Sequence, residues 1–273
     1  MINKKNILFI GAGNMAEAII SGLISAKVYN SDQINAYDID KSRLEFIKSK
    51  FKIITYNNLK SAVSESNILL LAVKPQTIIF ILNEICPYYK DEQLIISIVA
   101  GINSSIIVKY LGENARIIRV MPNTPALVKA GMSVICKAGK AKEEDIEEAR
   151  KIFSALGEIE VLSELYFNAV TALSGSGPAY VFLMIEALME AGIKVGLNRD
   201  IALKLAMQTV YGSVKMIKKT NLHPAELKNK VCSPGGTTIA ALYKLEKGAF
   251  RALITEAVEE AFCRAIEMEK NNC

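Results

Sequence analysis

Tryptophan is absent, histidine occurs once (His223), and aromatic residues make up only 7% of the 273 positions. A surface that stacks nucleobases has little to be built from. Charge offers no substitute, because Lys+Arg 33 against Asp+Glu 28 leaves only +5. The longest basic runs are the pairs Lys4-Lys5 and Lys218-Lys219, too short for an electrostatic footprint, so no nucleic-acid partner is expected. The five cysteines (Cys86, Cys136, Cys232, Cys263 and Cys273) are odd in number, far apart and never spaced CxxC. With one histidine they make neither a zinc ligand set nor a disulfide framework, which points to no metal, reduced thiols and a cytoplasmic location. No run of about 18 apolar residues free of charge stands out, so no membrane span is expected. The opening MINKKNILFIGAG imitates a signal peptide, with Ala16-Glu17-Ala18 as a mock cleavage site. Its apolar run ends at two glycines and polar Asn14, and it reads as a first strand.

What is present is ample apolar material, 51% of the chain, enough for one large domain or two modest ones. Up to about residue 160, short apolar runs alternate with helical patterns. Asn6–Ile10, Ile34–Tyr37, Ile68–Ala72, Leu94–Ile98 and Ile117–Met121 read as buried parallel strands. Helical segments lie at Met15–Ala26, Lys41–Lys50, Gln76–Ile85 and Ser104–Leu111. This alternation predicts an α/β doubly wound Rossmann domain over residues 1–163, closed by a hairpin-like pair, Met132–Cys136 and Glu158–Leu162, around a charged helix at Lys142–Leu156. From 164 to 273 the strand signal stops. Pro178–Lys194, Arg199–Lys219, His223–Lys230, Thr237–Leu245 and Ala249–Glu269 carry helical spacing. The first of these is apolar on most faces and needs cover on several sides, which predicts an all-helical domain interleaved with a second copy, the plainer reading being a central helix in a monomeric bundle.

Strand 1 runs into Gly11-Ala12-Gly13-Asn14-Met15-Ala16, a GxGxxA pattern that opens a helix. Gly11 permits the tight turn, Gly13 lets a pyrophosphate approach the backbone, and Ala16 allows close helix packing. The helix start then offers N–H groups to phosphates. Asp38 ends the second strand, where a carboxylate would bind ribose hydroxyls and repel a 2′-phosphate. The cofactor is therefore NADPH or NADH, with Asp38 leaning toward NADH. Lys41, Ser42 and Arg43 follow and could hold a phosphate, and Asp38-Ile39-Asp40 also reads as a plain helix N-cap. Further strand-end turns, Ala72-Val73-Lys74-Pro75, Val99-Ala100-Gly101 and Asn123 between two prolines, would line the same crevice, although Lys74 also reads as a solvated charge.

In the helical half, Cys232-Ser233-Pro234-Gly235-Gly236-Thr237-Thr238 stands out. Ser233 fits an N-cap and Pro234 the first helical position. N–H groups of Gly235, Gly236, Thr237 and Thr238 would then converge on a carboxylate or phosphate. An ordinary capped helix is the plainer reading, but two glycines in a first turn cost stability. Leu173-Ser174-Gly175-Ser176-Gly177-Pro178 is a second Gly/Ser turn into a helix, read as close packing near the site. Cys232 has no local base to make it a nucleophile, and His223 before Pro224 looks like a helix start.

At these residues the chain resembles pyrroline-5-carboxylate reductase, the family that makes L-proline. The resemblance runs through FIGAGNMA, LLLAVKPQ, IRVMPNTPALV, LSGSGPAYVF, HPAELKNKVCSPGGTTIAAL and Gly248-Ala249-Phe250-Arg251. SPGGTT with its flanks is the specific signature. The resemblance implies a Rossmann domain followed by a helical dimerisation domain, a homodimer with a higher oligomer of dimers left open, and an active site formed with the intertwined helices. It implies hydride addition from NAD(P)H to the C=N carbon of (S)-1-pyrroline-5-carboxylate. Gly11 to Met15, Ala72 to Pro75 and Val99 to Gly101 match its cofactor contacts, and Asn123 its nicotinamide end. Ser233 and the Gly235–Thr237 backbone match its carboxylate cradle. Thr238 matches the threonine that hydrogen-bonds the ring nitrogen. Asp38 departs from the small or hydroxylic residue of many relatives. Two other readings remain: a hydroxyacid or 6-phosphogluconate type of dehydrogenase, which needs an acid/base lysine in the helical half, and a nonenzymatic NAD(P)H-binding regulator.

Overall fold

A computed structural model describes residues 5–271, so Lys4 and Cys273 lie outside the described residues. Eight strands form one sheet in the order β3-β2-β1-β4-β5-β6-β7-β8. These are β1 (Ile7–Ile10), β2 (Ile34–Tyr37), β3 (Ile54–Thr55), β4 (Ile68–Leu71), β5 (Leu94–Ser97), β6 (Arg116–Pro122), β7 (Gly131–Gly139) and β8 (Gly157–Val161). Strands β1 to β6 pair in parallel. Helices α1 (Asn14–Ser25), α2 (Lys41–Phe51), α3 (Leu59–Ser64), α4 (Ile78–Ile85), α5 (Ser104–Leu111) and α6 (Glu143–Ser154) cover both faces. The central strands are apolar on both sides for that reason. Ile7 and Phe9 of β1 join Ile19, Leu23, Leu44, Ile47, Ile152 and Phe153 in one buried cluster. The intervening Leu8 and Ile10 join Val63, Leu82, Ile85 and Ile107 in the other.

Two details differ from the sequence reading. β7 is antiparallel to β6, but β7 and β8 pair in parallel, Gly131 opposite Gly157 through Ile135 opposite Val161. The expected hairpin-like pair is therefore a strand–helix–strand crossover over α6, as a parallel pair requires. β3 and α3, of two and six residues, carry too little pattern to be read from sequence.

Beyond Val161 no strand occurs among the described residues. The chain continues through α7 (Phe167–Val170), a π turn at Thr171–Gly175, α8 (Gly177–Lys194), α9 (Arg199–Thr220), α10 (Pro224–Lys230), α11 (Thr237–Lys247) and α12 (Phe250–Asn271). The expected Gly/Ser turn ahead of α8 is thus still helical, wound one residue wider. Two compact units result among the described residues: one of residues 5–176 with 261–271, the other of residues 177–260. In the second unit only Met189, Ala202 and Ala206 are buried, while Phe182, Leu183, Leu205, Tyr211 and Tyr243 are exposed. The helical run Glu164–Lys194 is long and apolar enough to cross a membrane by length and composition, and only 11% of its most apolar window is buried. Leu165 to Ile185 lacks any charged residue, although Asn, Thr and Ser keep it from reading as a uniformly apolar run.

Candidate active site

β1 lies between β2 and β4, so the connections leaving β1 and β4 diverge there and open a crevice at the strands' carboxyl ends. Gly11 is wedged into it. Its N–H donates to Tyr37 O at 2.8 Å, its φ is +99°, and a Cβ would stand 2.5 Å from Ala72 O. Gly13 is the opposite case: a Cβ there would meet nothing within 4 Å. Gly13 is also the N-cap of α1, and no side chain caps that helix. α2, α3 and α5 are capped by Asp40, Asn58 and Asn103. The N–H groups of Asn14, Met15 and Ala16 thus lack both intrahelical acceptors and a capping side chain. An exposed glycine before an uncapped helix fits a dinucleotide pyrophosphate.

Asp38 is half-buried beside this turn. One carboxylate oxygen accepts from Ala12 N–H at 2.6 Å and the other from Asp40 N–H at 2.9 Å. The cap of α2 is Asp40, which accepts from the backbone of Ser42 and Arg43. The two aspartates read together in the sequence are separated by the structure: Asp40 caps the helix and Asp38 faces the glycine turn. Asp38, Gly11 and Val73 line one cleft with Tyr37, Thr77 and Phe80, about 390 Å³ including its open mouth. Arg43 reaches the same turn. Its Nε donates to Ala12 O at 2.6 Å, and a guanidinium N–H pairs with Glu17 of α1. Lys50 pairs with Glu17 as well, at 2.8 Å. Sequence reading missed Glu17, since nothing in its spacing announces partners on α2.

Lys74 is exposed, and its carbonyl accepts from Thr77 N–H and Oγ1 at the Pro75–Thr77 turn. Ala72 is half-buried, Val99 is buried, and Ala100 and Gly101 follow β5 in a turn. Asn123 bridges three elements. Its Oδ1 accepts from Met132 N–H at 2.9 Å, and its Nδ2 donates to Ser174 O at 3.2 Å and Oγ at 3.3 Å in the π turn. A second unanticipated cluster lies nearby. Glu164 takes Arg119 at 2.6 Å and both the N–H and hydroxyl of Ser104 at the start of α5. Arg119 also stacks 4.6 Å from the Phe167 ring. Burial opposes charge on Glu164, but Ser104 and Arg119 outweigh it and hold the carboxyl below its ordinary 4.5.

In the second unit, Gly236 N–H donates to Ser233 O at 3.0 Å around Pro234 and Gly235, with Gly235 at φ +67°. This is a type II turn. The expected N-cap at Ser233 and helix start at Pro234 are therefore corrected: Gly236 is the N-cap and the helix begins at Thr237. The expected donor Gly236 is engaged in the turn. The N–H groups of Thr237, Thr238 and Ile239 lack intrahelical acceptors, and no side chain caps them. Ser233 Oγ leans over this start, where a Cβ on Gly236 would stand 2.2 Å from it. Cys232 Sγ donates to Lys228 O. His223 is the N-cap of α10, its Nδ1 accepting from Ala225 N–H at 3.2 Å. Among the described residues, no three His, Cys, Asp or Glu side chains gather as a metal site.

An open, mostly parallel sheet whose switch point carries an uncapped, glycine-led helix defines a Rossmann-type dinucleotide-binding protein. Residues 6–101 match the family described as NADP oxidoreductase coenzyme F420-dependent, and residues 164–268 match pyrroline-5-carboxylate reductase dimerisation. A pyrroline-5-carboxylate reductase of Synechocystis is 44% identical, covering 96% of this chain and 97% of its own. That of Escherichia coli is 39% identical over 98% of this chain and 100% of its own. The solved reductase of Coxiella burnetii superposes with a TM-score of 0.90 at 37% identity, covering 97% of this chain and 99% of its own. That of Plasmodium falciparum, with NADP bound, superposes at 0.89 and 34%, covering 98% and 99%. The chain belongs to the pyrroline-5-carboxylate reductase family. A likeness to 3-hydroxyisobutyrate dehydrogenase, at 13% identity and TM-score 0.52, is one of fold alone.

Proposed function

We propose that this chain reduces (S)-1-pyrroline-5-carboxylate to L-proline with NAD(P)H, the last step of proline biosynthesis. The observation that carries the reading is the uncapped start of α11 behind the Ser233–Gly236 turn, in a chain matching its relatives from end to end. Donors left open by both backbone and side chains suit a small carboxylate. Thr237 and Thr238 supply such N–H groups, with Ser233 Oγ close by, and Gly235 and Gly236 shape the turn.

The dinucleotide supplies the hydride when bound. Gly13, Asn14 and Met15 would hold its pyrophosphate, with Gly11 and Ala12 shaping the turn beneath it, Asp38 its ribose, and the turns Ala72–Pro75 and Val99–Gly101 its further length. Asn123, held from both ends of its amide, would fix the loop at the nicotinamide. The Thr238 hydroxyl would hydrogen-bond the ring nitrogen as it becomes an amine, so Thr238 is the catalytic residue of this reading. No strong base is needed, because a proton on nitrogen already activates the imine carbon. Orientation and anchoring carry the rate. We favour NADH over NADPH because Asp38 presents its carboxylate to the cleft. The division of labour runs at 163/164, with residues 164–273 serving dimerisation and substrate binding in a cytoplasmic homodimer or a multiple of it.

The test is to mix the protein with pyrroline-5-carboxylate and NADH or NADPH, and to follow loss of reduced-nicotinamide absorbance and formation of proline. Turnover is expected with both. No turnover with either would overturn the assignment and leave a cofactor-binding regulator. Turnover of hydroxyacids in its place would select the dehydrogenase reading.

A further inference from the structure

Glu17 takes part in no step proposed above, yet it organises the charges behind the glycine turn. Its two oxygens pair with Arg43 and Lys50, and its side chain is 19% exposed. Arg43 is held a second time by Ala12 O and lies 4.9 Å from the Phe46 ring. The backbone of Ala12 is thereby gripped at both polar groups, its N–H by Asp38 and its carbonyl by Arg43. Of the basic side chains that follow β2 most closely, Lys41 is exposed and Arg43 is tied down. A 2′-phosphate beside Asp38 would call on the guanidinium first, since its planar fork matches phosphate oxygens.

We infer that Glu17 is a specificity-determining positioning residue: from α1 it holds Arg43 and Lys50 of α2, denies the 2′-phosphate of NADPH its cationic partners, and so favours NADH. The inference rests on the proposed dinucleotide site. It adds that the preference is set by a carboxylate outside the ribose pocket as well as by Asp38. Near the phosphate, the Glu17 charge would also have to be overcome before Arg43 could turn away from it.

Equilibrium titration of NADH and NADPH by protein-bound nicotinamide fluorescence, without substrate, tests this directly. Glu17→Gln keeps the size of the side chain and removes its charge. The ratio of dissociation constants is expected to move toward NADPH by about tenfold, which corresponds to about 1.4 kcal/mol. In the double variant Glu17→Gln with Arg43→Gln most of that gain should vanish, because it acts through the freed guanidinium. Arg43→Gln alone, which keeps Glu17, should weaken both cofactors alike and leave the ratio unchanged. A Glu17→Gln ratio equal to wild type, or Arg43→Gln selectively weakening NADPH, would overturn the inference. A wild-type chain that binds neither cofactor would overturn the dinucleotide site itself, and the inference with it. Should Glu17→Gln not fold, the Arg43→Gln ratio still decides the matter.

Discussion

Gly11 and Gly13 occupy neighbouring turns of one motif but fail in different ways when a methyl group is added. At Gly11 the Cβ would press on Ala72 O at 2.5 Å with φ at +99°. Gly11→Ala should therefore cost about 2 kcal/mol or more of stability, read as a lowered melting temperature, along with cofactor binding. At Gly13 the Cβ meets open space, so Gly13→Ala should cost no more than about 1 kcal/mol of helix capping. NADH affinity should nevertheless fall severalfold in titration, because the methyl group occupies the approach to the first-turn N–H groups. Equal losses of stability in the two variants would contradict this division. Thr238→Val should lower kcat more than it raises KM, since its hydrogen bond strengthens as the ring nitrogen becomes an amine. Wild-type turnover would remove Thr238 from the chemistry. GxGxxA was legible in the sequence because each glycine answers a local backbone demand. Glu17–Arg43 and Arg119–Glu164 were not, since partners 26 and 45 residues apart meet only after the sheet and its helices have assembled.

Helix starts divide the elements into those sealed by protein and those left open. α2, α3, α5 and α9 are closed by Asp40, Asn58, Asn103 and Asn198, whereas α1 and α11 begin at uncapped glycines. Sequence placed the start of α11 too early because Pro234 carries much the same φ at the first helical position as at the second position of a turn. Gly235 at φ +67° decides for the type II turn. Gly235→Ala should strain that turn by about 1–2 kcal/mol and lower kcat/KM for the imine, with NADH affinity unchanged in titration. The misread hairpin has a similar origin. β8 alternates like a strand of an antiparallel pair, but α6 between β7 and β8 was the sign of a parallel crossover. At α5, Glu164 adds a second seal, and its sign with pH is determined. Its carboxyl ionises below the ordinary 4.5 in the folded protein, so its stabilisation is complete above that value and is lost as pH falls through the lowered one. The stability advantage of wild type over Glu164→Gln, measured by denaturant unfolding, should hold above about pH 4.5 and shrink as the pH falls below it. An advantage that persists undiminished in acid would assign the effect to the hydrogen bonds with Ser104 and not to the carboxylate's charge.

The two units differ in what they bury. The sheet unit has two large apolar clusters, one on each face, and a smaller third around Met121 and Phe167. The unit of residues 177–260 buries only Met189, Ala202 and Ala206 and leaves Phe182 at 63% and Leu183 at 67% exposure. Three buried side chains cannot offset the conformational entropy of more than eighty ordered residues. A second copy is the cover that the family match at residues 164–268 points to. The apolar character of α8 was visible in the sequence, but how little of that unit its own helices bury shows only in the fold. For a homodimer the melting temperature should rise with protein concentration, because association stabilises the folded chain by mass action. Phe182→Glu with Leu183→Glu sharpens the test. On a truly solvent-facing surface such changes cost within about 0.5 kcal/mol each. Within an interface each would bury an unpaired carboxylate at a cost of several kcal/mol. The double variant should therefore scatter light as a smaller species, melt lower and lose turnover. If it remained as large, as stable and as active as wild type, α8 would face solvent and the second copy would have to be sought on another helix.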